Sequence, residues 1–190
     1  EEQDIWSLFD SIKAKHGLRI FGKGFKYRIV SNALLYDAES ITETQRKFGL
    51  NTNRCYVPYD KGDPDGNRWY ALTPYALDWS LDAVNAYQTD SRARWQGHQF
   101  FFRTGFCWTN VLNTNSKYFK CRLKNVTVND VGSMALYDAS GLGDEFHVLL
   151  LNSFLLFKVL REFMNSSVNV QINDIRKLPV KIPSKAELAE

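Results

Sequence analysis

The segment from Glu145 to Met164 constrains this chain most, because it is apolar on nearly every side. Such a segment is too long for a strand, and a helix apolar all round has to be buried. With His147, Asn152 and Lys158 inside its most apolar window, it is too short and too polar to cross a membrane. It therefore needs a body to pack against. Upstream of it the chain is built from short runs of β-type residues separated by turn signals. The sequence thus predicts an α+β fold: an irregular, mostly antiparallel β body, an N-terminal helix and a long buried C-terminal helix.

The pieces fall in order. Ile5, Trp6, Leu8, Phe9 and Ile12 recur at helical spacing, so residues 5–16 read as an amphipathic helix stopped by Gly17. Arg19–Phe21 and Tyr27–Val30 read as extended runs, and Ser40–Phe48 as a loop or short helix. Arg54–Tyr59 reads as a strand. Lys61-Gly62-Asp63-Pro64-Asp65-Gly66-Asn67 is a dense turn cluster. Trp69–Leu72 is then expected to pair back as a hairpin. Asp78–Arg92 has weak helical periodicity. Phe100–Thr104 and Cys107–Val111 read as two extended pieces around Gly105, followed by β signals at Tyr118–Leu123, Val126–Val128 and Met134–Tyr137. Asp144 is the expected N-cap of the long helix. Val168–Ile172 alternates as a short strand, Asp174–Pro183 is a connector, and Ser184 is placed to cap a last helix. The expected organisation is a helical segment over 1–17, a β-rich body over 18–143, and a helix, strand and connector over 144–190 that pack the domain.

Composition limits the function classes. The net charge of +3 permits a nucleic-acid partner without establishing one. Cys55, Cys107 and Cys121 form no Cys-x-x-Cys pair, so free thiols are expected rather than zinc or disulfides. His16, His98 and His147 have no metal-ligand spacing. No nucleophile elbow and no phosphate-binding loop is present. Gly141-Leu142-Gly143 reads as a helix-entry turn. No two of the five prolines are adjacent, so an Asn-Pro-Pro-aromatic methyltransferase loop is missing. No acidic pair with a following lysine sits on a β run, as a metal-dependent nuclease would need. The chain is expected to carry no catalytic residue, metal or cofactor of its own. It begins Glu1-Glu2-Gln3 with no signal-peptide pattern, which reads as a fragment of a longer protein.

Three segments carry a family resemblance. The first is Tyr56-Val57-Pro58-Tyr59-Asp60-Lys61-Gly62 with Arg68-Trp69-Tyr70. The second is Phe101-Phe102-Arg103-Thr104-Gly105-Phe106-Cys107-Trp108-Thr109. The third is Leu151-Asn152-Ser153, followed by Val168–Ile175 and Leu178-Pro179-Val180-Lys181-Ile182-Pro183. In order and spacing they resemble the target-recognition regions of adenine-specific DNA methyltransferases: TaqI-type specificity domains and type I specificity subunits. Phe106 and Cys107 depart from the usual pair of the second motif. The resemblance implies the DNA-specificity domain of a restriction–modification or phage-defence enzyme. Its parent would be a DNA N6-adenine methyltransferase, with endonuclease activity as a further possibility, in a bacterial or archaeal cytoplasm. The implied partners are double-stranded DNA and an N-terminal methyltransferase domain of the same parent chain, which would bind S-adenosylmethionine. No membrane is implied.

Specific DNA binding needs cations for phosphates and planar polar groups for base edges. The candidates are Lys61, Arg68 and Trp69 around the turn cluster, Arg92, Arg94, Trp95 and Gln96 in one short segment, Arg103, and Asn113, Asn115 and Lys117 in a polar loop. Two other readings compete: a protein–protein interaction module that docks through aromatic surface without nucleic acid, and a small enzyme with an unfamiliar site.

Overall fold

The computed structural model describes residues 2–18, 28–63, 67–112, 116–184 and 187. It shows an α+β fold. The helices are α1 (Glu2–His16), α2 (Glu43–Phe48), α3 (Leu81–Thr89), α4 (Asp144–Leu151), α5 (Phe154–Val159) and α6 (Ile172–Arg176). The strands are β1 (Tyr56–Asp60), β2 (Tyr75–Asp78), β3 (Arg103–Thr109), β4 (Arg122–Asn129) and β5 (Ser133–Leu136), in the sheet order β2-β1-β4-β3-β5. Among the described strands the β1–β4 pairing is parallel and the other strand pairings are antiparallel. Of the expected extended runs, Arg19–Phe21 and Tyr27 lie outside the described residues and 28–30 are in no strand; of the expected last helix after Ser184 only Glu187 is described, in a turn.

Local chemistry explains the helix ends. The Thr42 hydroxyl accepts from the Gln45 amide while the Gln45 side chain accepts from the Thr42 amide, a reciprocal capping box that starts α2. Ser80 caps α3 through the Ala83 amide. Gly17, at φ +76°, follows α1 and donates to the Lys13 carbonyl, as a helix-ending glycine does.

The core has two apolar clusters. One packs Trp108, Phe119 and Cys121 of the sheet region against Val148, Leu160 and Val170 of the C-terminal segment. The other gathers Leu50, Val57, Trp79, Val84, Phe102 and Val128. Both fully buried tryptophans satisfy their indole N–H: Trp108 donates to the Val170 carbonyl at 3.1 Å and Trp79 to the Gln45 carbonyl at 3.0 Å.

Several expectations need correction. The Glu145–Met164 segment is not one helix. The helical path breaks at Ser153, which is extended (φ −68°, ψ 143°), just after Asn152, whose amide Nδ2 donates to the Cys121 carbonyl (2.7 Å) and whose Oδ1 accepts from the Cys121 amide (2.8 Å). Ser153 then caps α5 through the Leu156 amide, and the last turn, Leu160–Met164, widens to a π-helix. Nor is the segment buried all round, since Leu149, Phe154, Leu155 and Phe163 are exposed. Gly143, not Asp144, occupies the N-cap of α4, without a side-chain cap.

The strand pairing back onto β1 is Tyr75–Asp78 rather than Trp69–Leu72. Trp69 adopts φ +76°, which no strand can continue. Val168–Ile172 contributes only a bridge between Asn169 and Val111, made by the Val170 amide donating to the Asn110 carbonyl and the Leu112 amide to the Val168 carbonyl, while the Val170 carbonyl accepts from the Trp108 indole. Gly105 does not divide two strands but lies inside β3. A Cβ there would sit 2.6 Å from the Leu136 carbonyl oxygen, so glycine is what lets β5 approach.

Candidate nucleic-acid interface

The interface is built outward from a buried ion pair. Asp60 ends β1, and Arg122 begins β4. One guanidinium nitrogen, Nη2, lies 2.9 and 3.1 Å from the two Asp60 carboxylate oxygens. The same carboxylate accepts from the Gly62 amide (2.8 Å) and from the Cys107 thiol (3.5 Å). Thr109 reinforces the turn: its Oγ1 accepts from the Asp63 amide at 2.8 Å and donates to the Asp63 carbonyl at 2.9 Å. Gly62 has φ +84°, and a Cβ there would lie 2.9 Å from the Gly132 carbonyl oxygen. The loop holding Lys61 is thus clamped against the β4–β5 turn.

The second anchor is the Cys121 peptide. Besides its two bonds to Asn152, its carbonyl accepts from the Trp69 amide at 3.0 Å, and the Trp69 carbonyl accepts from Leu123 at 2.8 Å. Trp69 and Lys120 both hold left-handed backbone conformations here, with φ of 76° and 64°. Such conformations cost about 1–3 kcal/mol each in non-glycine residues and gather at functional sites. All three motif segments therefore meet in space. The first touches the third through Cys121, and the second touches the third through the Trp108–Val170 bond.

Outside these anchors the candidate side chains fall into three groups. In the first, the Arg68 guanidinium lies 4.3 Å from the Tyr118 ring centre and 5.6 Å from that of Trp69, with exposed Lys117 next in the chain to Tyr118. Lys61 approaches the Tyr75 ring at 5.6 Å. In the second, Arg92 is held by Asp90 through both carboxylate oxygens, which draws the Asp90 carboxyl below its usual range. Trp95 stacks with Trp79 at 5.6 Å and with His98 at 5.3 Å, so its ring is engaged within the protein. Arg94 and Gln96 are exposed. In the third, Arg103 lies 5.6 Å from the Phe100 ring, itself stacked on Tyr137 at 5.3 Å. Asn113 and Asn115 lie outside the described residues.

Sequence reasoning missed three features. A cavity of about 350 Å³ opens beside α3, with Tyr59, Tyr87 and Asn129 among its walls and Arg92 and Arg94 contributing to it. These residues are scattered along the chain, so no local pattern announces them. Lys124 is buried, and its ammonium donates to the carbonyls of Arg103 (2.5 Å), Asn125 (3.0 Å) and Thr127 (3.2 Å), closing the irregularity where β3 pairs with β4. Asp138, Ser140 and His147 form a cluster in which His147 Nε2 meets both the carboxylate (2.8 Å) and the hydroxyl (3.3 Å). Both partners share one ring nitrogen and Ser140 donates to Asp138, so the cluster lacks the relay geometry of a serine triad. Hydrogen bonds from Ser140, His147 and Gly143 hold the Asp138 carboxyl well below its usual range.

The buried groups set an alkaline signature. Burial pulls Lys124 down from 10.5 to about 8, and pushes the Cys107 thiol up from 9.0 to about 12 and the Cys121 thiol further still. The lysine sheds its proton in the fold first, so between pH 8 and 10.5 it makes stability rise with pH. Above pH 9 the unfolded chain loses thiol protons that the fold retains, and each thiol then makes stability fall, by up to about 1.4 kcal/mol per pH unit. Urea midpoints measured from pH 7 to 10.5 are expected to peak near pH 9. In Cys107→Ala the alkaline fall should be shallower than in the parent protein; an unchanged slope would count against this assignment.

No family model matches the chain, and no curated protein matches it. All three cysteines are free, and among the described residues no cluster of His, Cys, Asp and Glu is arranged to hold a metal. Among the same residues no helix is long and apolar enough to cross a membrane.

Proposed function

We propose that this chain recognises a short sequence in duplex DNA, as the specificity domain of a restriction–modification or phage-defence adenine methyltransferase. One observation carries the reading: the three motif segments that resemble target-recognition regions converge on shared anchors. At those anchors the Arg68-Trp69 step is held in a strained backbone with its side chains outside the core. Arg68 stacked on Tyr118 offers a charge for phosphate and a planar donor for a base edge. Lys61, Lys117, Arg94 and Arg103 supply further cations. In this reading the methyltransferase domain and its S-adenosylmethionine belong to the parent protein, and its location is the bacterial or archaeal cytoplasm.

Salt tests this reading. Fluorescence anisotropy with mixed-sequence duplex DNA should give an affinity that falls as a power of salt concentration, the logarithmic slope being about 0.9 per phosphate neutralised. Arg68→Ala should lower that slope by about 1 if Arg68 meets a phosphate, or cost about 1–3 kcal/mol on the preferred site alone if it reads a base. Affinity insensitive to salt, or absent at low salt, would favour the protein-interaction reading. The exposed Leu149, Phe154, Leu155 and Phe163 give that alternative its specific support.

A further inference from the structure

Among the described residues the two most exposed large apolar side chains are Phe163, at 79% of its full accessibility, and Leu155, at 71%. Both lie on the helical path formed by α5 and the π-turn that ends it. Residues three or four apart share a helix face, so Leu155, half-buried Val159 and Phe163 form one ridge. The π-turn keeps them aligned. It closes on the fifth residue, with the Asn165 amide donating to the Leu160 carbonyl at 2.7 Å, so a step of four within it stays nearly on one side. Phe154, next in the chain to Leu155, is exposed too. The other side of the same path, Leu156, Phe157 and Leu160, is buried in the core. The outer side is thus apolar where a solvated helix face carries polar residues.

Two charges flank the ridge. Lys158 and Glu162 are each half-exposed and lie 3.7 Å apart. An exposed pair of this kind contributes little by itself, so both groups are free to meet a second partner. Arg161 is engaged instead by the Asn165 and Ser167 carbonyls. The order along the face is therefore Leu155, Lys158, Glu162, Phe163: apolar, positive, negative, apolar. This order is its own complement when reversed. Two copies laid antiparallel about a two-fold axis near Val159 and Leu160 set Leu155 against the partner's Phe163 and Lys158 against the partner's Glu162. One axis serves both pairs, because 155 and 163 are centred on 159, and 158 and 162 on 160.

The area fits as well. At about 150–250 Å² for a large side chain, Phe154, Leu155 and Phe163 leave on the order of 400 Å² of apolar surface in water. A standard interface takes about 800 Å² from each partner and is a little over half apolar. The apolar share of such a face is close to what this helix exposes.

We infer that this helix face pairs with the same face of a second copy, antiparallel, making the chain a two-fold dimer. The inference does not depend on the DNA-recognition reading, and no DNA enters its test. Taken together, the two predict an inverted repeat as the preferred DNA sequence, since a two-fold dimer reads two half-sites.

Sedimentation equilibrium at micromolar concentration and low salt, where charge contacts are least screened, measures it. The parent chain is expected at twice its 22.0 kDa. Leu155→Glu and Phe163→Glu, both at exposed positions, should each return it to the mass of one chain. Lys158→Glu sets two like-charge contacts across the axis, and so does Glu162→Lys; each should weaken the dimer at least about tenfold. Mixing these two variants restores opposite charges at both contacts, so a mixed dimer should form with close to the parent affinity. Damage to the fold by either substitution could not produce that rescue. A parent chain that stays monomeric overturns the inference and leaves the face to an unlike partner. A dimer indifferent to Leu155→Glu and Phe163→Glu puts the interface elsewhere and overturns it too. Charge variants that dimerise like the parent, or a mixture that fails to recover, overturn the antiparallel pairing.

Discussion

Asp60→Ala is expected to destabilise the fold by about 3–5 kcal/mol, because it leaves the Arg122 guanidinium buried without its counter-charge. The side chains of both partners are almost wholly buried. Against a typical domain stability of about 5–15 kcal/mol, that is a large fraction. With a urea dependence of about 2 kcal/mol per molar, the unfolding midpoint should move down by about 2 M. The loss is not the value of the pair itself. In the double variant Asp60→Leu/Arg122→Met neither charge remains, and stability should return to within about 1–2 kcal/mol of the parent. A single variant that unfolds like the parent would remove the ion pair from the account. Because the Gly62 amide also donates to Asp60, the double variant is expected to be stable yet impaired in any function of the Lys61 loop.

The second large effect concerns Asn152. Its side chain makes two hydrogen bonds to the Cys121 peptide, and Asn152→Leu abolishes both. The Cys121 carbonyl keeps its bond from Trp69, but the Cys121 amide is left buried without an acceptor. A cost of about 2–4 kcal/mol follows from that orphan and the lost bonds. The substitution also removes the contact that adjoins the break between α4 and α5. Amide hydrogen exchange should show lost protection at Cys121 and at its neighbour Trp69, while the second apolar cluster around Trp79 keeps its protection. Uniform loss of protection across the chain would mean that the contact is not local.

These two sites show why part of the fold was legible and part was not. The residues of β1, β3, β4 and β5 carry β-type runs, and α1 to α3 carry helical spacing or capping residues; local propensity and tertiary structure agree there. At Asn152 they disagree. Propensity favours one continuous helix through an apolar run, but the helix breaks beside a contact with a partner 31 positions away. Trp69 is similar: Trp-Tyr-Ala-Leu has strand composition, but its backbone is held left-handed between Cys121 and Leu123. Gly105 reads locally as a breaker, although what requires it is the approach of β5. The exposed stripe of Leu149, Phe154, Leu155 and Phe163 shows that an apolar sequence names a surface without naming what covers it.

The candidate interface divides the same way. The sequence singled out cationic and aromatic residues, and the structure gives them unequal freedom. Arg68 lies over a ring and makes no ion pair among the described residues, whereas Arg92 is tied to Asp90 and Trp95 is stacked with Trp79 and His98. Composition cannot make that distinction, because it depends on which neighbour reaches each side chain first. The cavity walls were invisible for a related reason: they join residues from β1, β2, α3 and β4 that share no spacing.

The central claim is sequence recognition, and selection from a random duplex library tests it most directly. The 190-residue chain is incubated with duplexes carrying a randomised central segment, bound DNA is recovered at moderate salt, and several rounds are sequenced. Enrichment of one short motif, lost or relaxed at a single position in Arg68→Ala or Trp69→Gly, is the predicted result. Recovery of DNA with no enriched motif, or of no DNA at all, would contradict it.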